Sequence, residues 1–248
     1  MKKLPQITVL FWAMKICATT LGETAGDLLS MTLHIGYTLS SVILLGFFFA
    51  ALSVQLFSKK YRPVIYWAVI LATSMVGTTI SDYMDRTLGL GYATGSLILF
   101  GLLITTLAVW NVAEKSLSVT NIRSTRGEIF YWTAILFSNT LGTALGDFIA
   151  DSSGLGFTGG VFLISGLLLV IIAGFYFTKI SRVVLFWLAF VLTRPFGATF
   201  GDLLTKPVAK GGLNLGTIGS SSVLFGLLVI LIMISIHKLS KPHKVNIN

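Results

Sequence analysis

Long, unbroken apolar runs separated by short polar stretches dominate the chain. They lie near residues 7–30, 37–57, 64–84, 92–112, 129–150, 157–178, 182–204 and 216–237. As a helix, each is long enough to cross a hydrocarbon layer of roughly 30 Å. The apolar positions are continuous instead of alternating, and each run is about twice the ~10 residues of a barrel strand. The pattern predicts an all-α integral membrane protein with eight transmembrane helices, a single domain over 1–248.

The polar residues that interrupt these runs recur at fixed intervals. Trp12, Trp67, Trp132 and Trp187 are each followed ten residues later by a glycine (Gly22, Gly77, Gly142, Gly197). Fifteen residues after each Trp stands an aspartate (Asp27, Asp82, Asp147, Asp202), preceded by a small residue (Gly26, Ser81, Gly146, Gly201). A further glycine opens the second helix at Gly36, Gly91, Gly156 and, after an insertion, Gly216; another lies in its middle at Gly46, Gly101, Gly166 and Gly226. The unit is two helices long, and four copies occupy about 4–58, 59–113, 124–178 and 179–238, with a loop at about 112–128 joining the halves. Because two spans return the chain to its starting side, the copies are parallel. Equivalent residues can then form a ring at one depth around an axis along the membrane normal.

The segments GETAGD (22–27), GTTISD (77–82), GTALGD (142–147) and GATFGD (197–202), with the four tryptophans, carry a resemblance that covers nearly the whole chain. It resembles a family of bacterial inner-membrane proteins built from four tandem two-helix repeats of unknown function. The second copy departs from the pattern with Ser81 for glycine, which keeps the position small. What the resemblance implies is architecture; it implies no activity.

Composition agrees with the pattern and narrows it. Of 248 residues 54% are hydrophobic and 11% charged, and the mean hydropathy is +0.88, which excludes a soluble enzyme or nucleic-acid module. The net charge of +9 reads as topology. Lys2, Lys3, Lys59, Lys60, Arg62, Lys115, Arg123, Arg126, Lys179, Arg182, Lys238, Lys241 and Lys244 flank one face, and Arg86, Lys206 and Lys210 the other. The positive-inside rule therefore places both termini and the long loop in the cytosol, and the resemblance implies that the membrane is a bacterial inner membrane. The tryptophans fit an interfacial belt on that side, and 15 residues of helix put each aspartate roughly 22 Å further across. Lys2-Lys3 before an apolar run imitates a signal peptide, but Lys15 and the repeat argue that this segment stays. The single cysteine, Cys17, reads as a packed thiol. His34, His237 and His243 lack metal-ligand spacing and read as solvated.

Positions 7, 11 and 15 after each Trp share one helix face. They read Thr19, Glu23, Asp27; Ser74, Thr78, Asp82; Asn139, Thr143, Asp147; and Arg194, Ala198, Asp202. Carboxylates in a membrane must point into the bundle or into water. Five acids in one region must share protons, pair with Arg194 or Lys15, or bind a cation. Oxygen ligands without His or Cys suit a hard divalent ion.

The candidate substrate site is therefore Glu23, Asp27, Asp82, Asp147 and Asp202 with Thr19, Ser74, Asn139 and Arg194, the four aspartates being the metal ligands. Asp85 and Asp151 form an outer acidic mouth. Arg194, followed by the helix-kinking Pro195, neutralises Glu23 or an aspartate, or else binds an anionic substrate. Lys15 snorkels to the cytosolic interface. Gly22, Gly26, Gly77, Ser81, Gly142, Gly146, Gly197 and Gly201 are packing residues.

The expected function is secondary transport of a small solute, a divalent metal cation first, coupled to protons. No ATP-binding GxxxxGK[ST] run is present. The alternatives are a cation channel and a non-transporting scaffold in which the aspartates are structural, capping the connection that follows them. An intramembrane enzyme ranks below both, since no His lies at membrane depth. The expected partners are the bilayer and a small ion, with no nucleic acid and no resident cofactor, and a homo-oligomer is compatible with all of this.

Overall fold

The computed structural model describes residues 4–122 and 124–240; Lys2, Lys3, Arg123, Lys241, His243 and Lys244 lie outside the described residues. Among the described residues there are eight long helices and no strand: α1 (Val9–Asp27), α2 (Tyr37–Phe57), α3 (Pro63–Asp82), α4 (Gly91–Glu114), α5 (Thr125–Asp147), α6 (Gly156–Phe177), α7 (Arg182–Thr205) and α8 (Thr217–Ser240). They fall within a few residues of the eight apolar runs, apart from the longer N-terminal start of α5. The segment between α4 and α5 is shorter than the expected 112–128 loop, because α4 runs on to Glu114 and Ser124 caps α5 at the Gly127 N–H.

Six of the eight helices are long and apolar enough to cross a membrane: α2, α3 with the turn after it, α4, α6, α7 and α8. Their outward faces carry large apolar residues such as Leu97, Phe162, Val170 and Val223, all exposed, the surface of a multi-pass membrane protein. The other two, α1 and α5, hold the polar positions of their repeats on faces that are buried among neighbouring helices.

The four odd-numbered helices pack as a closed ring, α1 on α3, α3 on α5, α5 on α7 and α7 back on α1. The even helices lie outside it, each against the odd helix of the following repeat: α2 on α3, α4 on α5, α6 on α7, and α8 on α1. Glycine sets the ring's diameter. A β-carbon at Gly22 would overlap Ser74, one at Gly77 would meet the Asn139 backbone, one at Gly142 would overlap Arg194 and one at Gly197 would meet Thr19. Each glycine ten residues after a Trp thus seats position 7 of the next repeat, and the fourth closes on the first. One turn on, Gly26, Gly146 and Gly201 seat Thr78, Ala198 and Glu23 in the same way. Such contact lets van der Waals packing hold helices where lipid offers no hydrophobic drive.

Gly36, Gly91, Gly156 and Gly216 have φ between +66° and +80°, a backbone conformation that costs a β-carbon; this is why a glycine precedes or opens each second helix. The mid-helix Gly46, Gly101, Gly166 and Gly226 face open space, and nothing in the structure explains their recurrence.

Three of the four repeat tryptophans are withdrawn from the expected interfacial belt, while Trp12 is half-buried against Phe11 and Phe186. Trp67 and Trp132 are fully buried and Trp187 nearly so. Trp67 packs edge-on with Tyr66, Trp132 with Tyr131 and Trp187 with Trp110, while Tyr66 meets Trp132 and Phe11 meets Trp67 at a tilt. Trp187 Nε1 donates to the Leu117 carbonyl at 3.1 Å. The rings close the end of the bundle opposite the aspartates, a packed plug in place of a lipid contact.

Candidate functional site

Above the aromatic plug the ring interior is polar in layers, each about one helical turn or 6 Å apart. Lys15, three residues past Trp12, occupies the first. It does not snorkel: it is 0% exposed, its Nζ donates to Asn139 Oδ1 at 3.2 Å, and it sits 4.0 Å from the centroid of the Phe190 ring. Asn139 also donates to Thr73 Oγ1 (2.8 Å) and Ser74 Oγ (3.3 Å).

Arg194 forms the next layer. From α7 its guanidinium donates to the Thr19 carbonyl on α1 (3.2 Å), the Ser74 carbonyl (3.1 Å) and Thr78 Oγ1 (2.6 Å) on α3, and Thr143 Oγ1 (2.7 Å) on α5. It also pairs with Glu23 Oε2 at 3.1 Å, an oxygen that Thr78 bonds at 3.2 Å. One fully buried side chain therefore ties all four ring helices together across the axis. Its Nη1 and Nη2 are engaged by these groups while its Nε has no partner among the described residues, and the contact with Glu23 makes it that residue's counter-charge.

The carboxylates follow. Oxygens of Glu23, Asp147 and Asp202 lie within 4.8 Å of one another, all three residues buried. Asp82 and Asp147 share Arg86, at 2.8 and 3.2 Å. Asp27 and Asp202 share Lys206, at 2.5 and 3.1 Å. Each base follows the aspartate of its own repeat by four residues and reaches the aspartate of the next. Burial works against the Lys206 ammonium, but Asp202 and Asp27 outweigh it and lift its pKa above the ordinary lysine value.

All five predicted acids are thus brought into one region. The convergent set is Glu23, Asp147 and Asp202, and all five acids contact a base, Asp27 and Asp82 sharing theirs with Asp202 and Asp147. Thr19, Ser74, Asn139 and Arg194 sit in the glycine seats, about one turn closer to the tryptophans than Glu23 and about two turns closer than the aspartates. Asp27, Asp82 and Asp147 make no side-chain cap to the π-helical turns that follow them (Leu28–Thr32, Tyr83–Thr87 and Phe148–Ser152), so capping does not account for their repetition. The outer mouth is not formed as expected. Asp85 is buried, bonded by Ser81 at 3.3 Å and packed under Gly95, while Asp151 is exposed and accepts from the Tyr92 hydroxyl at 3.2 Å.

Arg86 and Lys206 stand among the carboxylates of the candidate site, although the sequence reading passed over them as surface charges of the less basic face. The signal was present, since Asp82 to Arg86 and Asp202 to Lys206 are both i,i+4 pairs and stand 120 residues apart.

No curated protein and no solved structure matches the chain. A family model does match, four times, at residues 10–61, 65–116, 130–181 and 185–237. These segments cover most of the chain and coincide with the four repeats, and the chain belongs to the family described as Repeat of Unknown Function (DUF347).

Proposed function

We propose that this protein is a proton-coupled secondary transporter of a divalent cation in a bacterial cytoplasmic membrane. All eight helices span, the four repeats are related about the membrane normal, and both termini are cytosolic. The polar faces that lower the apolarity of α1 and α5 point into the ring, which makes these helices interior spans. Lys59, Lys60, Arg62, Lys115, Arg126, Lys179, Arg182 and Lys238 all flank the tryptophan end, the cytosolic end by the positive-inside rule.

The observation that carries the reading is the convergence of Glu23, Asp147 and Asp202 within 4.8 Å in a region of surplus negative charge. Glu23, Asp27, Asp82, Asp147 and Asp202 are paired with Arg194, Arg86 and Lys206, which leaves two charges uncompensated when all are ionised. One divalent cation balances them, and so do two protons. Carboxylate oxygens from three helices are the donor set of a hard ion. Arg194 blocks the axis below the site, which favours a carrier over an open channel.

The test is Mn²⁺ uptake by proteoliposomes under an imposed pH gradient with the membrane potential clamped. The expected result is saturable uptake at a rate independent of the clamped potential, because the exchange is electroneutral. In Glu23→Gln the expected loss is at least about tenfold, since even the outer-shell partners of a metal site are worth about 10–100-fold. Absence of uptake, or uptake that Glu23→Gln leaves unchanged, contradicts the proposal.

A further inference from the structure

A coupled carrier needs a group that exchanges its proton with the cytosolic side, and the carboxylates lie beyond the Arg194 seal. On the near side of it, above the aromatic plug with its Tyr66 and Tyr131 hydroxyls and Glu128 at the start of α5, Lys15 is the ionisable side chain in the polar layer next to Arg194. The lysine is fully buried, and among the described residues no carboxylate lies within ion-pair distance of it. Its neighbours are the neutral Asn139 from α5, the Phe190 ring from α7 and, as the charge acting on it, the cationic Arg194. An ammonium stripped of water is ordinarily retained in a protein interior by a carboxylate. Here no acid holds it, and lysine, unlike arginine, can release its proton in such a place.

Lys15 is also linked to the cation site. Its Nζ bonds Asn139 Oδ1, and Asn139 Nδ2 bonds Ser74 Oγ; Thr78 Oγ1 bonds both the Ser74 carbonyl and Glu23 Oε2, each of these contacts being 3.2–3.3 Å. The linkage passes beside the Arg194 guanidinium, which bonds the same Ser74 carbonyl and Thr78 hydroxyl. A change of charge at Lys15 is felt at Asn139, and through Ser74 and Thr78 at Glu23.

We infer that Lys15 is the proton-exchanging residue of the cycle on the cytosolic side of the Arg194 seal. The inference rests on the transport reading above. The step is a proton transfer alone: the amine lone pair takes H⁺ from cytosolic water when that side opens, and the ammonium gives it up to the Glu23 carboxylate across the seal, from which it leaves to the opposite compartment; one N–H bond is broken as one O–H bond forms, and the reverse sequence carries a proton the other way.

The test separates two activities of the reconstituted protein: Mn²⁺ uptake driven by a pH gradient, and exchange of radiolabelled Mn²⁺ for unlabelled Mn²⁺ at equal pH. Exchange needs the cation site and its opening but no net proton transfer. In Lys15→Met, driven uptake is expected to fall at least about a hundredfold, as for loss of a proton-transfer group, while exchange stays close to wild type. Lys15→Arg, which keeps the charge but does not release its proton, is expected to show the same split. Driven uptake retained in either variant overturns the inference. So does loss of both activities in the two variants, which makes Lys15 a packing residue. If the wild type itself fails to exchange Mn²⁺, the transport reading falls, and this inference falls with it.

Discussion

Replacing Arg194 by methionine is expected to destabilise the protein more than any other single change at the site. Removal of the guanidinium leaves Glu23 buried with Thr78 as its remaining partner and frees the Thr143 hydroxyl and the Thr19 and Ser74 carbonyls of the bonds they accept. Breaking a buried ion pair by deleting one partner costs about 3–5 kcal/mol. Here the cost is expected at the upper end, since each unpaired polar group adds about 1–3 kcal/mol if nothing replaces the bond. Thermal unfolding of the detergent-purified protein measures it. Glu23→Gln in the same chain removes the orphaned charge, so the double variant is expected to be more stable than Arg194→Met alone. Additive losses would show that the two side chains act independently.

Lys206→Met is expected to have the opposite effect on ligand binding. The ammonium sits 2.5 Å from Asp27 and 3.1 Å from Asp202 and occupies oxygens next to the three that converge. A unit charge at 4 Å is worth about 4 kcal/mol at an effective dielectric constant of 20, so a divalent cation entering this site is repelled by Lys206 or must displace it. Without it, Mn²⁺ is expected to bind at least about tenfold tighter, or about 1.4 kcal/mol, while the ion-free protein unfolds at a lower temperature. Arg86→Met is expected to act in the same direction through Asp82 and Asp147, more weakly, because its side chain is 33% exposed against 17% for Lys206 and water screens it. Weaker Mn²⁺ binding in both variants would show that the bases help to hold the cargo instead of competing with it.

How much of this was legible in the sequence follows from how local each signal is. Helix positions and the four repeats are written in periodicities of a few residues and in the Trp-to-Asp spacing, and both emerged as read. The pairing of Gly22 with Ser74, and its three equivalents, was legible only as a small-residue pattern; that the partner is always position 7 of the next repeat depends on how the helices rotate when the ring closes. Lys15 was misread because its acceptor, Asn139, arrives from a helix 124 residues later, and the charge rule for helix ends does not see such a partner. The same rule hid Arg86 and Lys206, since it counts basic residues by side and does not ask which carboxylate lies one turn away. Trp67 and Trp132 were taken for interfacial residues because an interfacial tryptophan and a packed one look alike until Phe11 of α1 stands against Trp67 and Tyr66 of α3 against Trp132.

The most direct test of the central claim, that Glu23, Asp147 and Asp202 form a cation site, is calorimetric titration of the purified protein with Mn²⁺. The account predicts saturable binding of one ion per chain, abolished in Asp147→Asn and in Asp202→Asn while both variants remain folded. Absence of binding in the wild type, or binding that survives both substitutions, would contradict it.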